Sequence, residues 1–450
     1  MSNPGEEDTT PIVSARQLAE YLAAGCKPRD AWRIGTEHEK FGFFLAGERQ
    51  FQPPPYEPGG IQAMLEGIAS LGWEEIRDQG NLIGLKRDGE SVSLEPGGQF
   101  ELSGAPCATL HETAAEFAAH FADVRQVATP LGLGFAPLGF HPLAKRDDMP
   151  WMPKSRYAIM RRYMPKVGTL GLDMMLRTCT VQVNLDFCSE ADMREKLRIG
   201  LLLQPVATAL FANSPFAEGK PSGLLSTRAN VWTDTDPDRT GIPAALLTED
   251  FSFEQYVEWM LDVPMYFIAR DGRLIDVAGA SFRDYLAGRV PALEGLTPTI
   301  GDFADHLTTV FPDVRLKRFL EMRGADAGSE AMMLAQSALW VGLLYDAAAQ
   351  SAAASLLARH DAAAFVALRG VVPRQGLATT FAGGTLRDLA RDMVAIAGDG
   401  LKARGFGEAQ FLAPLEEIAA GAPTQAERWL ELYRQSWQGD VSPIFAAAQI

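Results

Sequence analysis

The sequence predicts an α+β fold in which helices pack on one side of a mainly antiparallel sheet. Strand-like and helix-like segments do not alternate in the regular βαβ order that a doubly wound parallel sheet requires. Two short alternating runs meet at a Pro-Gly-Gly turn in VSLEPGGQFELSG, which is typical of an antiparallel hairpin. Several helix starts carry a Thr or Ser followed three residues later by an acid.

The first predicted strand is RIGTEHEKFGF, residues 33–43, and it carries two acids on one face. Side chains alternate between the faces of a strand, so Glu37 and Glu39 point the same way. Adjacent carboxylates raise each other's pKa unless a cation joins them. Taken alone, the segment favours a solvent-facing strand edge, because Glu is usually exposed.

The predicted hairpin supplies two further acids, Glu95 and Glu101, together with Gln99. Gly97 and Gly98 allow a close backbone approach that a side chain would block. Alone, this segment predicts a hairpin with surface acids. Combined with the first strand, it offers the rigidly held oxygen ligands that Mg²⁺ prefers.

The third strand signal is RTCTVQVNLDF, in which every second residue is polar. Thr178, Thr180, Gln182, Asn184 and Asp186 share one face, and the apolar residues share the other. We expect this polar face to be the concave, ligand-facing surface of the sheet.

Four capping boxes predict helix starts at Thr109, Ser189, Thr385 and Thr424. The Ala-rich stretch 343–367 is better interpreted as helix than as linker, because Ala is the best helix former. We expect residues 1–10 to be disordered and residues 11–450 to form a single catalytic domain with a helical C-terminal part.

Composition excludes several classes of function. Apolar residues make up 47% and charged residues 22% of the 450, as in globular proteins. The net charge of −16 argues against a nucleic-acid partner. We find no signal peptide and no apolar run long enough to span a bilayer, and the four cysteines lack metal-ligand spacing. These features predict a cytoplasmic protein with reduced thiols and no membrane partner.

Phosphate binding would have to use a metal and scattered bases, since the sequence has neither a P-loop nor an HExxH motif. Basic residues concentrate in residues 151–168, 226–241 and 311–326. Arg228 and Arg323 are the best candidates for ligand contact, because each lies in a stretch that is typical of a turn.

Nine ordered motifs together resemble the plant-type glutamate–cysteine ligases, a family also found in proteobacteria. They are GTEHEKFGF, SLEPGGQFELSGAP, WMPKSRYAIMRRYMPKVG, LRTCTVQVNLDF, LQPVATALFANSPFAEGKPSG, VWTDTDPDRTG, LDVPMYF, HLTTVFPDVRLKRFLEMRGAD and ALWVGLLYD. The resemblance runs from about residue 10 to the C-terminus.

The resemblance implies a glutamine-synthetase-like catalytic fold, a curved sheet that binds Mg²⁺, ATP and glutamate and has helices on its convex side. It implies ATP-dependent ligation of L-cysteine to the γ-carboxylate of L-glutamate through γ-glutamyl phosphate, the first step of glutathione biosynthesis. The products are γ-glutamylcysteine, ADP and phosphate. Two or more Mg²⁺ ions are expected, with Glu37, Glu39, Glu95 and Glu101 as the matching ligands.

Roles for the remaining candidates follow from the same resemblance and from charge. Arg228 is expected to pair with the glutamate α-carboxylate. Thr180, Gln182 and Trp232 are expected to line the glutamate pocket, and Tyr266 to close it. The candidates for the phosphates are Lys154, Arg156 and Arg323; with Arg228, Lys154 and Arg323 form the expected catalytic set.

One departure from the family pattern and three alternatives accompany this hypothesis. The plant enzymes carry cysteine pairs for redox control, but LIDVAGASFRDYLAGRVPALEG, residues 274–295, has no cysteine. We therefore expect no disulfide switch in this hairpin, and a monomer or a weak homodimer. The alternatives are a ligase that joins glutamate to a different amine, a guanidino kinase of related fold, and a non-enzymatic acidic binding protein.

Overall fold

The computed structural model describes residues 8–450. Residues 1–7, on which most of the predicted disordered segment falls, lie outside the described residues. Within the rest of that segment, the carbonyl groups of Asp8 and Thr10 accept hydrogen bonds from the N–H groups of Gly301 and Ile300, both at 2.9 Å.

The strands follow one another in this order: β1 Ile34–Phe44, β2 Glu74–Asp78, β3 Asn81–Arg87, β4 Glu90–Leu94, β5 Phe100–Ser103, β6 Leu133–Ala136, β7 Thr180–Leu185, β8 Phe216–Ala217, β9 Lys220–Pro221, β10 Thr240–Gly241, β11 Phe267–Arg270, β12 Arg273–Asp276, β13 Phe311–Pro312, β14 Val314–Leu316, β15 Leu320–Asp326, β16 Thr380–Phe381 and β17 Gly384–Thr385.

The α-helices are α1 Ala15–Ala23, α2 Ile61–Ala69, α3 Leu110–Ala128, α4 Ser155–Tyr163, α5 Gly171–Arg177, α6 Glu190–Leu210, α7 Thr227–Val231, α8 Phe253–Asp262, α9 Phe282–Leu286, α10 Ile300–Leu307, α11 Glu330–Leu344, α12 Ala347–Leu357, α13 Ala362–Gln375, α14 Leu386–Arg404, α15 Ala413–Ala420, α16 Gln425–Gln435 and α17 Ile444–Ala448.

One large sheet organises the molecule, with the strand order β14-β15-β7-β1-β5-β4-β3-β2. Every neighbouring pair in this order is antiparallel, and β6 pairs antiparallel with the second half of β1. The mixed α/β architecture and the mainly antiparallel sheet confirm the predicted fold class. The β4–β5 hairpin is also confirmed: the Glu95 N–H donates to the Gln99 carbonyl at 2.9 Å across the turn.

Long helices cover one face of the sheet, which we call the helix-covered face. Thr36 on β1 hydrogen-bonds Ser337 of α11 at 2.8 Å, and the His38 ring lies 4.6 Å from that of Phe117 on α3. The other face, which carries Glu37, Glu39 and the polar residues of β7, is called the polar face. The short helices α4, α5 and α7 contribute side chains to a cavity on this side, so helices are not confined to one face as expected.

All four predicted helix starts are confirmed as N-caps, of α3, α6, α14 and α16. The Ala-rich stretch is helical, but it is broken into pieces rather than continuous. Asp346 and Asp361 each cap the following helix, accepting hydrogen bonds from backbone N–H groups of α12 and α13. An Asp side chain that bonds nearby backbone favours a new helix start over continuation.

No single helix within residues 8–450 is long and apolar enough to span a membrane. The helices α11 and α12 meet the length and composition criteria only as a pair, and they are bent by 90° at the break between them.

Candidate active site

Four acids come together on the polar face of the sheet because of strand register. Glu39 on β1 lies directly opposite Glu101 on β5, and Glu37 lies opposite Gln182 on β7. Side chains directly opposite in an antiparallel pair are within about 5 Å at Cβ. Glu95 comes from the hairpin turn and lines the same cavity as Glu39.

These carboxylates are buried rather than solvent-facing. Glu37, Glu39, Glu95 and Glu101 are 7%, 8%, 7% and 0% exposed, so the surface-strand alternative is wrong. Burial raises the pKa of Glu39 well above its usual value, and the nearby Glu95 and Glu101 raise it further. Burial, Glu321 and Glu101 likewise raise the pKa of Glu37. A cation placed among these groups would relieve this penalty.

Strand β7 anchors two of the carboxylates in place. The Thr180 N–H donates to Glu39 Oε2 at 3.0 Å, and the Asn184 side-chain amide donates to Glu37 Oε1 at 2.8 Å. Each acid therefore keeps a fixed orientation on a regular strand, as a rigid oxygen site for a hard cation requires.

The fit to a divalent cation rests on donor chemistry rather than on a closed cage. Within residues 8–450, no group of three or more His, Cys, Asp or Glu side chains has the spacing of a formed metal site. The nearby donors are carboxylate, amide and hydroxyl oxygens, which suit Mg²⁺, and the carboxylates destabilise one another's charge. The residues present therefore fit an oxygen-liganded divalent cation.

Lys154 flanks the acids on the hairpin side. It is buried at the N-cap of α4, and its Nζ donates to Ser93 Oγ at 3.0 Å and to the Leu94 carbonyl at 2.7 Å. Ser93 lies opposite Glu101 and donates to its carboxylate at 3.3 Å. Burial lowers the pKa of Lys154 to about 8, while Glu95 opposes that shift. The ammonium group thus stays mostly protonated at neutral pH.

A second group of cations flanks the acids on the β14–β15 side. Arg315 makes two hydrogen bonds to Glu321, at 2.7 and 2.9 Å, and Lys317 lies 3.0 Å from the same carboxylate. Arg323 also pairs with Glu321, and it donates to the side chain of Gln182. We call these four charged residues, Arg315, Lys317, Glu321 and Arg323, the Glu321 cluster. It holds Arg323 at the edge of the acidic centre.

A cavity opens beside the acids and brings most of the predicted residues together. Its polar side is formed by Glu39, Glu95, Gln99, Thr178, Thr180, Gln182, Arg228 and Arg323, and its apolar side by Pro96, Met160, Met174, Met175, Trp232 and Phe311. A second cavity shares Arg228, Trp232, Phe311 and Arg323 with the first.

Arg228 and Trp232 bring unsatisfied donors to the wall that the two cavities share. Within the described part of the chain, the buried Nε of Arg228 and the buried Nε1 of Trp232 have no hydrogen-bond partner. Another guanidinium nitrogen of Arg228 donates to the Arg323 carbonyl at 2.9 Å. A guanidinium on the wall of a cavity favours an anionic ligand such as a carboxylate.

Five predicted site residues do not line this cavity: Glu37, Glu101, Lys154, Arg156 and Tyr266. Tyr266, expected to close it, is buried beside Arg239, whose guanidinium lies 4.1 Å from its ring centre, and its hydroxyl contacts the Met164 sulfur at 3.7 Å. Arg156 lies over the Phe267 ring at 5.6 Å. Tyr266 thus lies outside the lining of the cavity that it was expected to close, and the roles expected of Tyr266 and Arg156 stay predictions. Tyr266 turns inward because Arg239, held by Asp236 at 2.6 Å, offers its side chain a cationic face.

Sequence reasoning missed several residues that shape the site, notably Ser93, Glu321, Asp326 and the three methionines of the cavity wall. Glu321 had a usable signal, because it stands two positions before Arg323 on a strand and must share its face. The methionines gave none, since Met at helical spacing usually indicates ordinary core packing.

Comparison with known proteins gives consistent results. The family described as glutamate-cysteine ligase family 2 (GCS2) matches residues 33–447. A chloroplastic glutamate–cysteine ligase of Arabidopsis thaliana is 53% identical over 447 residues, which cover 99% of this chain and 85% of the relative. A chloroplastic glutamate–cysteine ligase of Medicago truncatula is 51% identical over 448 residues, covering 99% of this chain and 87% of the relative.

A solved structure shares the fold. The 2.0 Å crystal structure of a glutamate–cysteine ligase from Francisella tularensis in complex with AMP superposes with a TM-score of 0.57 at 13% sequence identity. The match covers 93% of this chain and 87% of the other. At this identity, the likeness supports a common fold alone.

Proposed function

The chain belongs to glutamate-cysteine ligase family 2, and we propose that it catalyses the ATP-dependent joining of L-cysteine to the γ-carboxylate of L-glutamate. The products are γ-glutamylcysteine, ADP and phosphate. One observation of the site carries this assignment: four carboxylates are buried together on the polar face, and two of them, Glu39 and Glu95, line a cavity whose wall also carries Arg228 and Trp232. The four carboxylates suit a metal-bound nucleotide, and the wall with Arg228 and Trp232 suits an amino-acid carboxylate.

Arg228 and Trp232 bind the α-carboxylate of glutamate in this proposal. Arg228 is held by the Arg323 carbonyl, so its guanidinium is oriented before substrate arrives. Burial lowers the pKa of Arg228 and Asp326 raises it, but a guanidinium keeps its charge in proteins. Thr180 and Gln182, on the same wall, line the path of the glutamate side chain toward the acids.

The four acids Glu37, Glu39, Glu95 and Glu101 would hold Mg²⁺, in two or more sites. The metal, when bound, neutralises the triphosphate and the charge that develops during phosphoryl transfer. Lys154 supplies a fixed positive charge beside Glu95 and Glu101, and Arg323 supplies another on the opposite side. The γ-carboxylate of the glutamate substrate is a poor electrophile, so one of its oxygens first takes the γ-phosphoryl group of ATP, and ADP leaves. The amine of cysteine then attacks the γ-carbonyl carbon and displaces phosphate.

The apolar side of the cavity would receive the side chain of the amine substrate. Met160, Met174 and Met175 present thioethers and methylenes there, beside Trp232 and Phe311. Such a surface favours a thiol or a methyl group over a hydroxyl, which would lose its hydrogen bonds to water. This chemistry supports cysteine over a more polar amine.

The test is ADP release by the purified protein with Mg-ATP and glutamate, with and without cysteine, and mass spectrometry of the product. We expect cysteine-dependent ADP and γ-glutamylcysteine, both lost in Glu39→Gln and kept in the control Glu416→Gln, which alters an exposed acid on α15. ADP release that depends on a different amine and not on cysteine would assign the protein as a ligase that joins glutamate to that amine. A phosphorylated guanidine as product, or no ATP turnover with any substrate pair, would refute the ligase assignment.

A further inference from the structure

We propose that Asp326 is a positioning residue that holds Arg228 in its substrate-binding orientation. The inference rests on the proposed role of Arg228 in binding the glutamate α-carboxylate. Asp326 is the last residue of β15 and is 3% exposed. It does not line the cavity, so it acts through its neighbours.

The Asp326 carboxylate collects three hydrogen bonds from two separate loops. Its Oδ2 accepts from the Asn213 N–H at 2.8 Å and from Ser214 Oγ at 2.6 Å. Its Oδ1 accepts from Ser226 Oγ at 2.8 Å. Asn213 and Ser214 follow α6, and Ser226 is the N-cap of α7, so one side chain joins the end of α6 to the start of α7.

Both serine hydroxyls also hydrogen-bond backbone N–H groups of α7, and so connect Asp326 to this helix. A hydroxyl has a single proton, and each serine donates that proton in its hydrogen bond to Asp326. The serine oxygens can therefore act only as acceptors for other groups. Ser214 Oγ accepts from the Arg228 N–H at 3.2 Å, and Ser226 Oγ accepts from the Ala229 N–H at 3.0 Å. Helix α7 has only five residues and depends on such contacts for its orientation.

Strand β15 therefore holds Arg228 at two points. The backbone N–H of Arg228 donates to Ser214 Oγ, which in turn donates to Asp326. The guanidinium of Arg228 donates to the carbonyl of Arg323, which lies three residues before Asp326 on the same strand. The pairing of β15 with β7 shifts register between Met322 and Ala325, so Arg323 lies in the irregular part of the strand, whereas Asp326 pairs with Thr180 of β7.

The space around Asp326 admits no larger group. A Cβ placed on Gly139 would stand 2.4 Å from the Asp326 carboxylate carbon, which shows how closely the backbone of residue 139 packs against it. Burial raises the pKa of Asp326, while the charge of Arg228 and the three donors oppose the shift. Asp326→Asn keeps the shape but turns an NH₂ group toward at least one of these donors.

The experiment measures glutamate and ATP kinetics in Asp326→Asn and in Ser214→Ala, which removes only the hydroxyl between Asp326 and Arg228. We expect KM for glutamate to rise roughly tenfold in each variant, as for the loss of one charge-assisted hydrogen bond between Arg228 and the glutamate α-carboxylate. KM for ATP should change by less than about twofold. Ser252→Ala is the matched control. It removes the N-cap of α8, which does not line either cavity, and should lower thermal stability without changing KM for glutamate.

A double-variant cycle separates positioning from general destabilisation. If Asp326 acts through Arg228, Asp326→Asn should add no further loss of glutamate affinity in an Arg228→Ala background. Additive losses, or an unchanged KM for glutamate in Ser214→Ala, would overturn the inference while leaving the ligase assignment intact. A wild-type protein without ligase activity would overturn both. If Asp326→Asn does not fold, Ser214→Ala and its combination with Arg228→Ala carry the test.

Discussion

The Glu321 cluster makes the stability of the fold depend on one buried charge. Glu321 is fully buried and is shared by Arg315, Lys317 and Arg323. Glu321→Gln keeps the shape of the side chain and removes the negative charge among three cations. Removing one partner from a buried ion pair costs about 3–5 kcal/mol.

This cost converts into a measurable shift of the unfolding temperature. At about 2.1 cal/mol/K per residue, the unfolding entropy of the 450-residue chain is about 0.9 kcal/mol/K. The expected decrease is therefore about 3–5 °C, measured by calorimetry at pH 7. Glu258→Gln is the matched control. It breaks an ion pair with Arg283 in which both side chains are exposed, and such a pair contributes about 0–1 kcal/mol.

The pH dependence of the difference in stability between Glu321→Gln and wild type provides a second check. Burial alone would raise the pKa of Glu321, but Arg315 and its other cationic partners hold it well below its usual value of 4.5. Its stabilisation is present above pH 4.5 and is lost as pH falls toward the lowered pKa. The difference between Glu321→Gln and wild type should narrow only below about pH 4.5. Equal melting temperatures for Glu321→Gln and Glu258→Gln at pH 7 would refute this account.

Four further predictions follow from the site and its supports. Lys154→Arg should extend ligase activity to higher pH, because burial lowers the pKa of Lys154 to about 8 and we expect the wild-type rate to fall as this residue loses its proton; coincident pH–rate profiles would contradict this. Glu39→Gln should lower kcat/KM by about 100-fold or more, yet raise the melting temperature measured without metal, because it removes a charge that burial and two acids disfavour; a lower melting temperature would count against this electrostatic account. Burial raises the pKa of Glu116 to about 7, so wild-type stability should fall as pH rises from 4.5 to 7 and stay flatter in Glu116→Gln, as urea unfolding at pH 5 and 8 would show; parallel slopes would exclude it. Gly97→Ala would place a Cβ 2.2 Å from the Leu176 carbonyl and should lower both stability and activity, whereas Gly370→Ala, with open space around it, should not; equal effects in a thermal melt would disprove the steric argument.

The sequence predicted what depends on local pattern. Alternation placed Glu37 and Glu39 on one face, and the Pro-Gly-Gly turn located the hairpin that supplies Glu95 and Glu101. Alternation could not show that Glu39 stands opposite Glu101, because register is set by pairing between distant strands. The resemblance to a known family joined the two segments before the structure did.

Other parts of the site depend on contacts that no local pattern encodes. Tyr266 was expected at the cavity, but Arg239 draws its ring into the core. Asp326 belongs to a motif that was identified, yet its importance arises from Asn213, Ser214 and Ser226, which are about 100 residues away along the chain. Such convergence of distant segments is a property of the tertiary fold.

The anchoring of Asn213 has a consequence for the order in which the protein matures during synthesis. Its side-chain oxygen accepts from Trp429 Nε1 at 2.6 Å, and the neighbouring Ala212 carbonyl accepts from the Ala426 N–H at 2.9 Å. The loop that contacts Arg228 is therefore held by α16 as well as by β15. Glu37 and Glu39, in contrast, are synthesised near the start of the chain. A nascent chain that still lacks α16 would therefore contain its four acids before the loop beside Arg228 has all of its hydrogen bonds.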